Sequence, residues 1–218
     1  MAKLPLNLDA AAIRRLLIAY NAGYYAPAKK SNVEADADAY RLFAGGLARD
    51  LPGLVRQLVF LGKDFGGAKV IQFERVSRVI AERILADRGY HDHLATQPSM
   101  EHAGLPTAAV QRALAPFVGL PADVGRKRNF AVWASKVLHF SRLEAFPVLD
   151  RFAVAALGVR ASIAYPAFVA GYRQPFLDAL GDLRAAADVD PHSPTLLRRF
   201  DKVLYQGGLE LYAASRHR

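Results

Sequence analysis

Apolar residues recur along most of this chain every three or four positions, which is the spacing of one face of an α-helix. The clearest example is the segment from Val70 to Arg88, where one face is apolar and the other faces are charged. That apolar face is formed by Phe73, Val76, Ile80 and Ile84. No run of alternating apolar and polar residues is long enough to predict a strand. The pattern therefore predicts an all-α fold.

The same spacing predicts further helices, whose ends are marked by capping residues, glycine or proline. They lie within residues 9–20, 40–47, 54–61, 106–118, 130–139, 151–157, 161–187 and 196–211, and the segment 161–187 is interrupted by proline and glycine. No repeat and no linker rich in glycine, serine or proline divides the chain. We therefore expect one all-helical domain over residues 1–218, with two small lobes that share a cleft as the alternative.

The amino-acid composition excludes some kinds of functional site and favours others. The chain has no cysteine, which excludes disulfides, thiolate metal sites and cysteine nucleophiles. Lysine and arginine number 29 against 20 for aspartate and glutamate, and the net charge of +9 favours a polyanionic partner such as nucleic acid. The first residues lack an apolar segment of signal-peptide length, and no apolar stretch reaches about 18 residues. We expect a cytoplasmic protein that does not bind or span a membrane.

The segment from Leu120 to Leu157 carries most of the candidate chemistry. It begins with a hairpin signal, Leu-Pro-Ala-Asp-Val-Gly, and the basic run Arg-Lys-Arg follows it. Free backbone N–H groups at the start of a helix, together with these cations, suit a phosphate group, although a solvated helix end has the same sequence. The candidate phosphate-binding residues are Gly125, Arg126, Lys127 and Arg128.

Two ionisable residues follow in the same segment. Lys136 lies beside the apolar stripe of the next helix, where desolvation would lower its pKa and favour the neutral amine that a nucleophile needs. The alternative is a lysine whose stem packs while its ammonium reaches water. Asp150 stands at the start of a short helix that ends at Gly158, where an aspartate is commonly only an N-cap.

The order of these motifs resembles that of the helix-hairpin-helix DNA glycosylases, in particular the 8-oxoguanine DNA glycosylases. The resemblance depends on the hairpin, on a Ser-Lys dipeptide that ends at Lys136, and on a Pro-Val-Leu-Asp run that ends at Asp150. It implies an all-α protein with two helical lobes around a cleft and a hairpin that grips double-stranded DNA. It also implies excision of a damaged or modified purine such as 8-oxoguanine, with Schiff-base lyase activity and without a metal or organic cofactor. We expect such a protein to act as a monomer.

The resemblance also implies roles for individual residues. Lys136 would attack the sugar C1′ atom, while Asp150 would deprotonate the lysine and stabilise the oxocarbenium-like sugar. In the last helix, Asp201 and Tyr205 lie four residues apart on one face and would bond to and stack on the extruded base. We add His139, which shares a helix face with Lys136, to the predicted base-binding residues.

The chain departs from the pattern of this family in three places. Its hairpin has one residue more and one glycine fewer than the usual Leu-Pro-Gly-Val-Gly. Counting from the hairpin gives Lys127 as the nucleophile, 23 residues before Asp150, whereas the Ser-Lys dipeptide gives Lys136, 14 residues before it. We prefer Lys136 because its apolar helix leads directly to Asp150. Asp201 stands where the family has glutamine, which leaves the identity of the excised base open.

Two other functions are compatible with the same sequence. A non-catalytic helical protein could use the basic hairpin to bind DNA or RNA without any chemistry. A metal-dependent hydrolase could use His91, His93 and His102, which lie within twelve positions of one another. We expect these histidines to belong to a polar loop instead, because no His-x-x-x-His pair fixes a ligand geometry.

Overall fold

The computed structural model describes residues 6, 8–25, 30–63, 73–120 and 130–215 of the chain. These residues form eleven α-helices and one short two-stranded hairpin, so the prediction of an all-α fold is confirmed. The predicted DNA-binding residues Gly125, Arg126, Lys127 and Arg128 lie outside the described residues. The helix-hairpin-helix element and the division into two lobes stay predictions.

The helices follow one another with short connections. They are α1 (Ala10–Asn21), α2 (Asn32–Leu42), α3 (Leu51–Lys63), α4 (Phe73–Ala86), α5 (Tyr90–Ala95), α6 (Thr107–Leu114), α7 (Ala131–Ser141), α8 (Arg151–Leu157), α9 (Tyr165–Asp178), α10 (Leu180–Ala185) and α11 (Leu196–Ser215). A 3₁₀ turn, Ala115–Phe117, extends α6. Strands β1 (Tyr24–Tyr25) and β2 (Lys30–Ser31) pair antiparallel between α1 and α2, with Tyr24 opposite Ser31.

Capping residues explain where several of these helices begin and end. Asp9 accepts a hydrogen bond from the Ala12 backbone N–H (2.8 Å) and starts α1. Ser31 and Glu34 form a capping box at the start of α2. Gly158 ends α8 in the left-handed conformation, with φ of 65°, which a residue with a side chain rarely adopts.

One segment differs from its predicted structure. Residues Tyr90 to His93, expected in a polar loop, lie in helix α5. Tyr90 and Leu94 are buried, and the Tyr90 hydroxyl donates to the Ala113 carbonyl (2.6 Å). The prediction was wrong because two apolar anchors on one face are enough to dock a helix of six residues, although the sequence between them is polar.

Helix α11 organises the part of the fold that concerns function. It packs against α1, α8 and α10, while α3 packs against α4 and α7. Trp133 of α7 is fully buried and donates its indole N–H to the Leu58 carbonyl of α3 (3.2 Å). Among the described residues, no helix is long and apolar enough to cross a membrane. The contacts of α11 bring the last helix of the chain against its first and against the helix that Asp150 caps.

Gly208 makes the close approach of α8 and α11 possible. A Cβ atom at this position would lie 2.0 Å from the carbonyl oxygen of Phe152 in α8. That contact is with backbone, so it cannot be relieved by rotating a side chain. Any side chain at position 208 must therefore move α8 away from α11.

We expect the substitution Gly208→Ala to lower the free energy of unfolding by about 1–3 kcal/mol, because it forces two packed helices apart. Urea denaturation measures this change. Gly171→Ala is the matched control: Gly171 also lies in a helix, but an added Cβ would meet nothing within 4 Å. The control should be stabilised by about 0.5–1 kcal/mol through helix propensity. Equal stability of the two variants would contradict the proposed contact.

Candidate active site

Four of the predicted site residues line one cleft. Lys136 of α7, Asp150 at the start of α8, and Asp201 and Tyr205 of α11 surround a space of about 570 Å³, which includes the part open to solvent. The remaining walls come from α1, α2, α7, α8, α11 and the segment before α8, through Tyr20, Asn32, Ala35, Phe140, Val148, Ala153 and Arg198. The lining of the cleft is mostly apolar, with a few polar groups that converge on it, and its enclosed part has a volume of only about 50 Å³.

Lys136 is partly buried in this cleft and has a lowered pKa. Burial lowers the pKa to about 8, the Asp150 carboxylate opposes this shift, and the positive charge of Arg198 adds to it. A lysine with such a pKa is neutral in roughly one molecule in ten at pH 7. The direction of this shift agrees with the one that the sequence predicts, and a minor fraction of the amine is in the neutral form that a nucleophile needs.

Asp150 combines a structural and a chemical position. Its Oδ1 atom accepts hydrogen bonds from the backbone N–H groups of Phe152 (2.8 Å) and Ala153 (2.7 Å), so it is the N-cap of α8. Within the described part of the chain, Oδ2 accepts no hydrogen bond. Burial raises the pKa of this carboxyl, while the Ala153 N–H and the charge of Lys136 oppose the shift. Asp150 therefore caps α8 through one oxygen and also lines the cleft.

The extended segment 146–149, which leads to Asp150, is held by side chains of three helices. Each of its residues offers one backbone group to one buried side chain of α7, α9 or α11. His139 Nδ1 donates to the Phe146 carbonyl (2.7 Å), Tyr165 donates to the Pro147 carbonyl (2.8 Å), Asp201 Oδ1 accepts from Val148 N–H (3.2 Å), and Ser135 Oγ accepts from Leu149 N–H (3.0 Å). Because the segment has no regular secondary structure, these four bonds satisfy backbone groups that a helix or sheet would otherwise pair.

His139 does not line the cleft with the other predicted base-binding residues. It is fully buried behind the cleft and, through the hydrogen bond from Nδ1, supports the segment 146–149. Burial and then the charge of Arg198 lower its pKa to about 3, so the imidazole is neutral. Its Nδ1 atom lies 3.3 Å from Asp201 Oδ2, and because the ring is neutral this contact is not an ion pair. The structure thus brings Asp201 and Tyr205 to the cleft and places His139 in its supporting layer.

Asp201 lines the cleft and has one carboxylate oxygen that accepts no hydrogen bond from the described residues. Only 4% of the residue is exposed, and Oδ1 accepts hydrogen bonds from the Tyr172 hydroxyl (2.6 Å) and from Val148 N–H. Oδ2 has no hydrogen-bond partner among the described residues. Burial raises the pKa of the carboxyl to about 7, against the charge of Arg198. A buried polar atom without a partner costs stability, so Oδ2 is an acceptor that an added hydrogen-bond donor would stabilise.

Tyr205 forms an aromatic wall one helical turn from Asp201. Its ring lies edge-on to Phe152, with centroids 5.0 Å apart, and edge-on to Tyr20, with centroids 5.8 Å apart. The prediction that Asp201 and Tyr205 share one helix face is confirmed, because both line the same cleft. Held by two neighbours, the Tyr205 ring has a fixed orientation against which a planar group can stack.

Arg198 is a positive residue of the cleft that the sequence patterns did not indicate. Its buried guanidinium forms an ion pair with Asp36 of α2 and donates to the hydroxyl groups of Tyr20 (3.0 Å) and Tyr40 (3.3 Å). Arg198 lies three residues before Asp201 on α11. Two opposite charges at this helical spacing, beside apolar residues, are the sequence pattern that could have indicated a role for it. Its partners could not be found from the sequence, since they lie more than 150 residues away.

The histidines considered as metal ligands make other contacts. His91 Nε2 lies 3.1 Å from the Ala48 carbonyl oxygen, and His93 Nε2 lies 3.0 Å from that of Ala109. In the part of the chain that the structure describes, no three His, Cys, Asp or Glu side chains are grouped so that they could hold a metal ion. Each of these two rings thus has one nitrogen engaged by backbone.

Comparison with models of protein families, with curated proteins and with solved structures finds no match to this chain.

Proposed function

We propose that this protein is a DNA glycosylase that excises a damaged or modified purine, such as 8-oxoguanine, from double-stranded DNA through a Schiff-base intermediate. One observation carries the proposal. A lysine of lowered pKa, a carboxylate with one oxygen that accepts no hydrogen bond from the described residues, and an aromatic wall line the same cleft. A lysine nucleophile needs a neutral amine, a nearby group to take its proton and a held substrate, and these residues supply the three.

The reaction begins at the sugar of an extruded nucleotide. The neutral amine of Lys136 forms a bond to C1′ while the bond from C1′ to the base breaks, and the base leaves with the electron pair. Asp150 Oδ2 accepts a proton from the attacking nitrogen and passes it to the departing base. Opening of the sugar ring then gives the Schiff base. Loss of a proton from C2′ and departure of the 3′ phosphate complete the strand cleavage.

The rest of the cleft recognises the base. An extruded base stacks on Tyr205, with the rings of Tyr20 and Phe140 closing the apolar walls. Asp201 Oδ2 bonds to the polar edge of that base. With its pKa of about 7, this carboxyl is able to accept a hydrogen bond when ionised and to donate one when protonated. Arg198 lies beside it and lends positive charge to the site as the leaving base becomes negative.

The net charge of +9 supplies the sequence-independent part of DNA binding. The residues assigned to the phosphate backbone, from Gly125 to Arg128, directly precede α7 in the sequence. In this proposal they grip the duplex and α7 carries the nucleophile behind them, in a protein that acts as a monomer.

Borohydride trapping tests the proposal directly. The full chain is incubated with a duplex that contains one 8-oxoguanine, with and without borohydride, and an undamaged duplex is the control. A covalent protein–DNA adduct, together with base release and strand cleavage, supports the proposal. Salt-dependent binding with no adduct and no base release, repeated on duplexes with other modified purines, contradicts it and favours the non-catalytic nucleic-acid-binding protein.

We expect the rate of adduct formation to rise with pH and to level off near pH 8. The reason is that only the neutral amine of Lys136 attacks, and its fraction increases by about tenfold per pH unit below the pKa. Single-turnover rates between pH 6 and pH 9.5 at constant ionic strength measure this. A rate that is constant or that falls over this range would show that the ionisation of Lys136 does not control the reaction.

A further inference from the structure

One hydrogen bond connects the two residues that directly precede the proposed reacting groups. Ser135 stands immediately before Lys136 in α7, and Leu149 stands immediately before Asp150. The Ser135 Oγ atom accepts the Leu149 backbone N–H at 3.0 Å. Ser135 is fully buried and Leu149 is 4% exposed, so no water competes for this bond.

The orientation of the Ser135 hydroxyl is also fixed. It donates to the Val132 carbonyl one turn earlier in α7 (2.8 Å), and a longer contact of 3.4 Å reaches the Leu149 carbonyl. With its hydrogen directed to Val132, the oxygen presents a lone pair to Leu149 N–H. Serine in the middle of a helix is less favourable than alanine, which points to a specific use of the hydroxyl at this position.

We propose that Ser135 is a positioning residue that sets the separation and orientation of the Lys136 amine and the Asp150 carboxylate. Of the four bonds that hold the segment 146–149, this is the one nearest to Asp150, and its other end is covalently next to Lys136. A change in the length or direction of this hydrogen bond therefore moves Lys136 through Ser135 and moves Asp150 through Leu149. The inference rests on the proposed function, because it assigns these two groups to one reaction.

Positioning of this kind has a large effect on rate. Attack on C1′ needs the amine within about 3–3.5 Å of the reacting carbon, and a displacement of about 1 Å costs roughly a hundredfold. Without the hydroxyl, Leu149 N–H becomes a buried donor with no acceptor. The end of the segment 146–149 then moves to find water or another acceptor and carries Asp150 away from Lys136.

The decisive comparison is between Ser135→Ala and Ser135→Thr. The alanine variant should fold and bind duplex DNA, but lose about 10- to 100-fold in the single-turnover rate of base release. The threonine variant keeps the hydroxyl and should recover most of that rate. Ser141→Ala is the matched control on the same helix, since the hydrogen bond that the Ser141 hydroxyl donates among the described residues goes to the Val137 carbonyl within α7. Its rate should equal that of the unmodified protein.

A second readout separates positioning from simple loss of stability. Among the described residues, Asp150 at the start of α8 and Arg198 of α11 are charged groups that shift the pKa of Lys136. If Asp150 moves away, the attraction that keeps the lysine protonated weakens, and the midpoint of the pH–rate profile should shift to lower pH in Ser135→Ala. A change in stability alone would not move this midpoint. The pH-dependent labelling of Lys136 by a small amine-reactive reagent, followed by peptide mass spectrometry, measures the same shift without DNA.

The outcomes are distinct. An unchanged rate and an unchanged midpoint in Ser135→Ala overturn the positioning role, as does a threonine variant that is as slow as the alanine variant. In Ser135→Cys the side chain has a similar volume, but its sulfur is a weaker hydrogen-bond acceptor than the serine oxygen. This variant replaces Ser135→Ala in both measurements if Ser135→Ala does not fold. Absence of any adduct with the unmodified protein contradicts the proposed function instead. The labelling experiment still decides whether Ser135 couples Lys136 to Asp150.

Discussion

Replacement of Lys136 by glutamine is expected to abolish the borohydride-trapped adduct and to reduce base release by about three orders of magnitude or more. The amide nitrogen of glutamine is not nucleophilic, and the shorter side chain does not form a Schiff base. The partly buried position tolerates the change because glutamine removes a positive charge and keeps a similar shape. Circular dichroism and duplex binding at low salt establish that the variant is folded.

Two other lysines make this experiment specific. Lys63→Gln is the matched control, because Lys63 is an exposed residue of α3 that pairs with Glu74 away from the cleft (3.7 Å). It should form the adduct at the normal rate. Lys127→Gln tests the other assignment of the nucleophile. In our proposal it weakens DNA binding and leaves the adduct intact at saturating protein. An adduct that persists in Lys136→Gln and disappears in Lys127→Gln would move the nucleophile to Lys127.

The parts of the site that local patterns encode could be predicted from the sequence. Asp201 and Tyr205 share a face because they are four residues apart on a continuous helix. Asp150 was recognisable as a cap because it precedes a short apolar helix that ends in glycine. The position of Lys136 beside the apolar face of α7 predicted the direction of its pKa shift. Each of these inferences needs only residues within one or two turns of one another.

The parts that depend on distant contacts could not be predicted. Tyr20 reaches the cleft because α1 packs against α11, and Asn32 of α2 donates its side-chain N–H to the Tyr20 carbonyl (2.8 Å). Helix periodicity cannot show which helices meet. The role of His139 was misjudged for a related reason. Its position in α7 puts His139 near the helix face that carries Lys136, but its ring is hydrogen-bonded to the Phe146 carbonyl. Phe146 belongs to a segment that has no periodic pattern of apolar residues, so this contact could not be predicted.

Buried charged side chains hold helix α2 against helix α11 beside this cleft. Arg198 of α11 and Asp36 of α2 form a buried ion pair, and Lys202, one turn further along α11, lies 3.6 Å from Asp36 and 2.9 Å from Asp190. Such groups are tolerated in a protein interior only when each charge has a partner. The pairing fixes α2 against α11 and thereby keeps the positive charge of Arg198 beside Asp201 and Lys136. The wall of the cleft and its electrostatics depend on the same contacts.

Asp150→Asn separates the capping role of this residue from its chemical role. Asparagine is as good an N-cap as aspartate, and its amide oxygen can accept the same bonds from Phe152 and Ala153 N–H. Burial raises the pKa of Asp150, so the ionised carboxyl costs the folded state stability as the pH rises above the pKa of the unfolded chain. Asparagine carries no such charge. The variant should therefore be at least as stable as the unmodified protein at pH 7, as measured by thermal unfolding.

Its activity should nevertheless fall by about 10²- to 10⁴-fold in single-turnover base release, because asparagine cannot accept the proton of the attacking amine. The loss cannot come from a more protonated lysine. Asp150 raises the pKa of Lys136, so its removal makes the amine more often neutral, and the pH–rate midpoint should shift to lower pH while the rate stays low at every pH. Asp150→Ala, which also removes the cap, should lose about 1 kcal/mol of stability in addition. A fully active and stable Asp150→Asn would show that the residue only caps α8, and the proton acceptor would have to be sought elsewhere in the cleft.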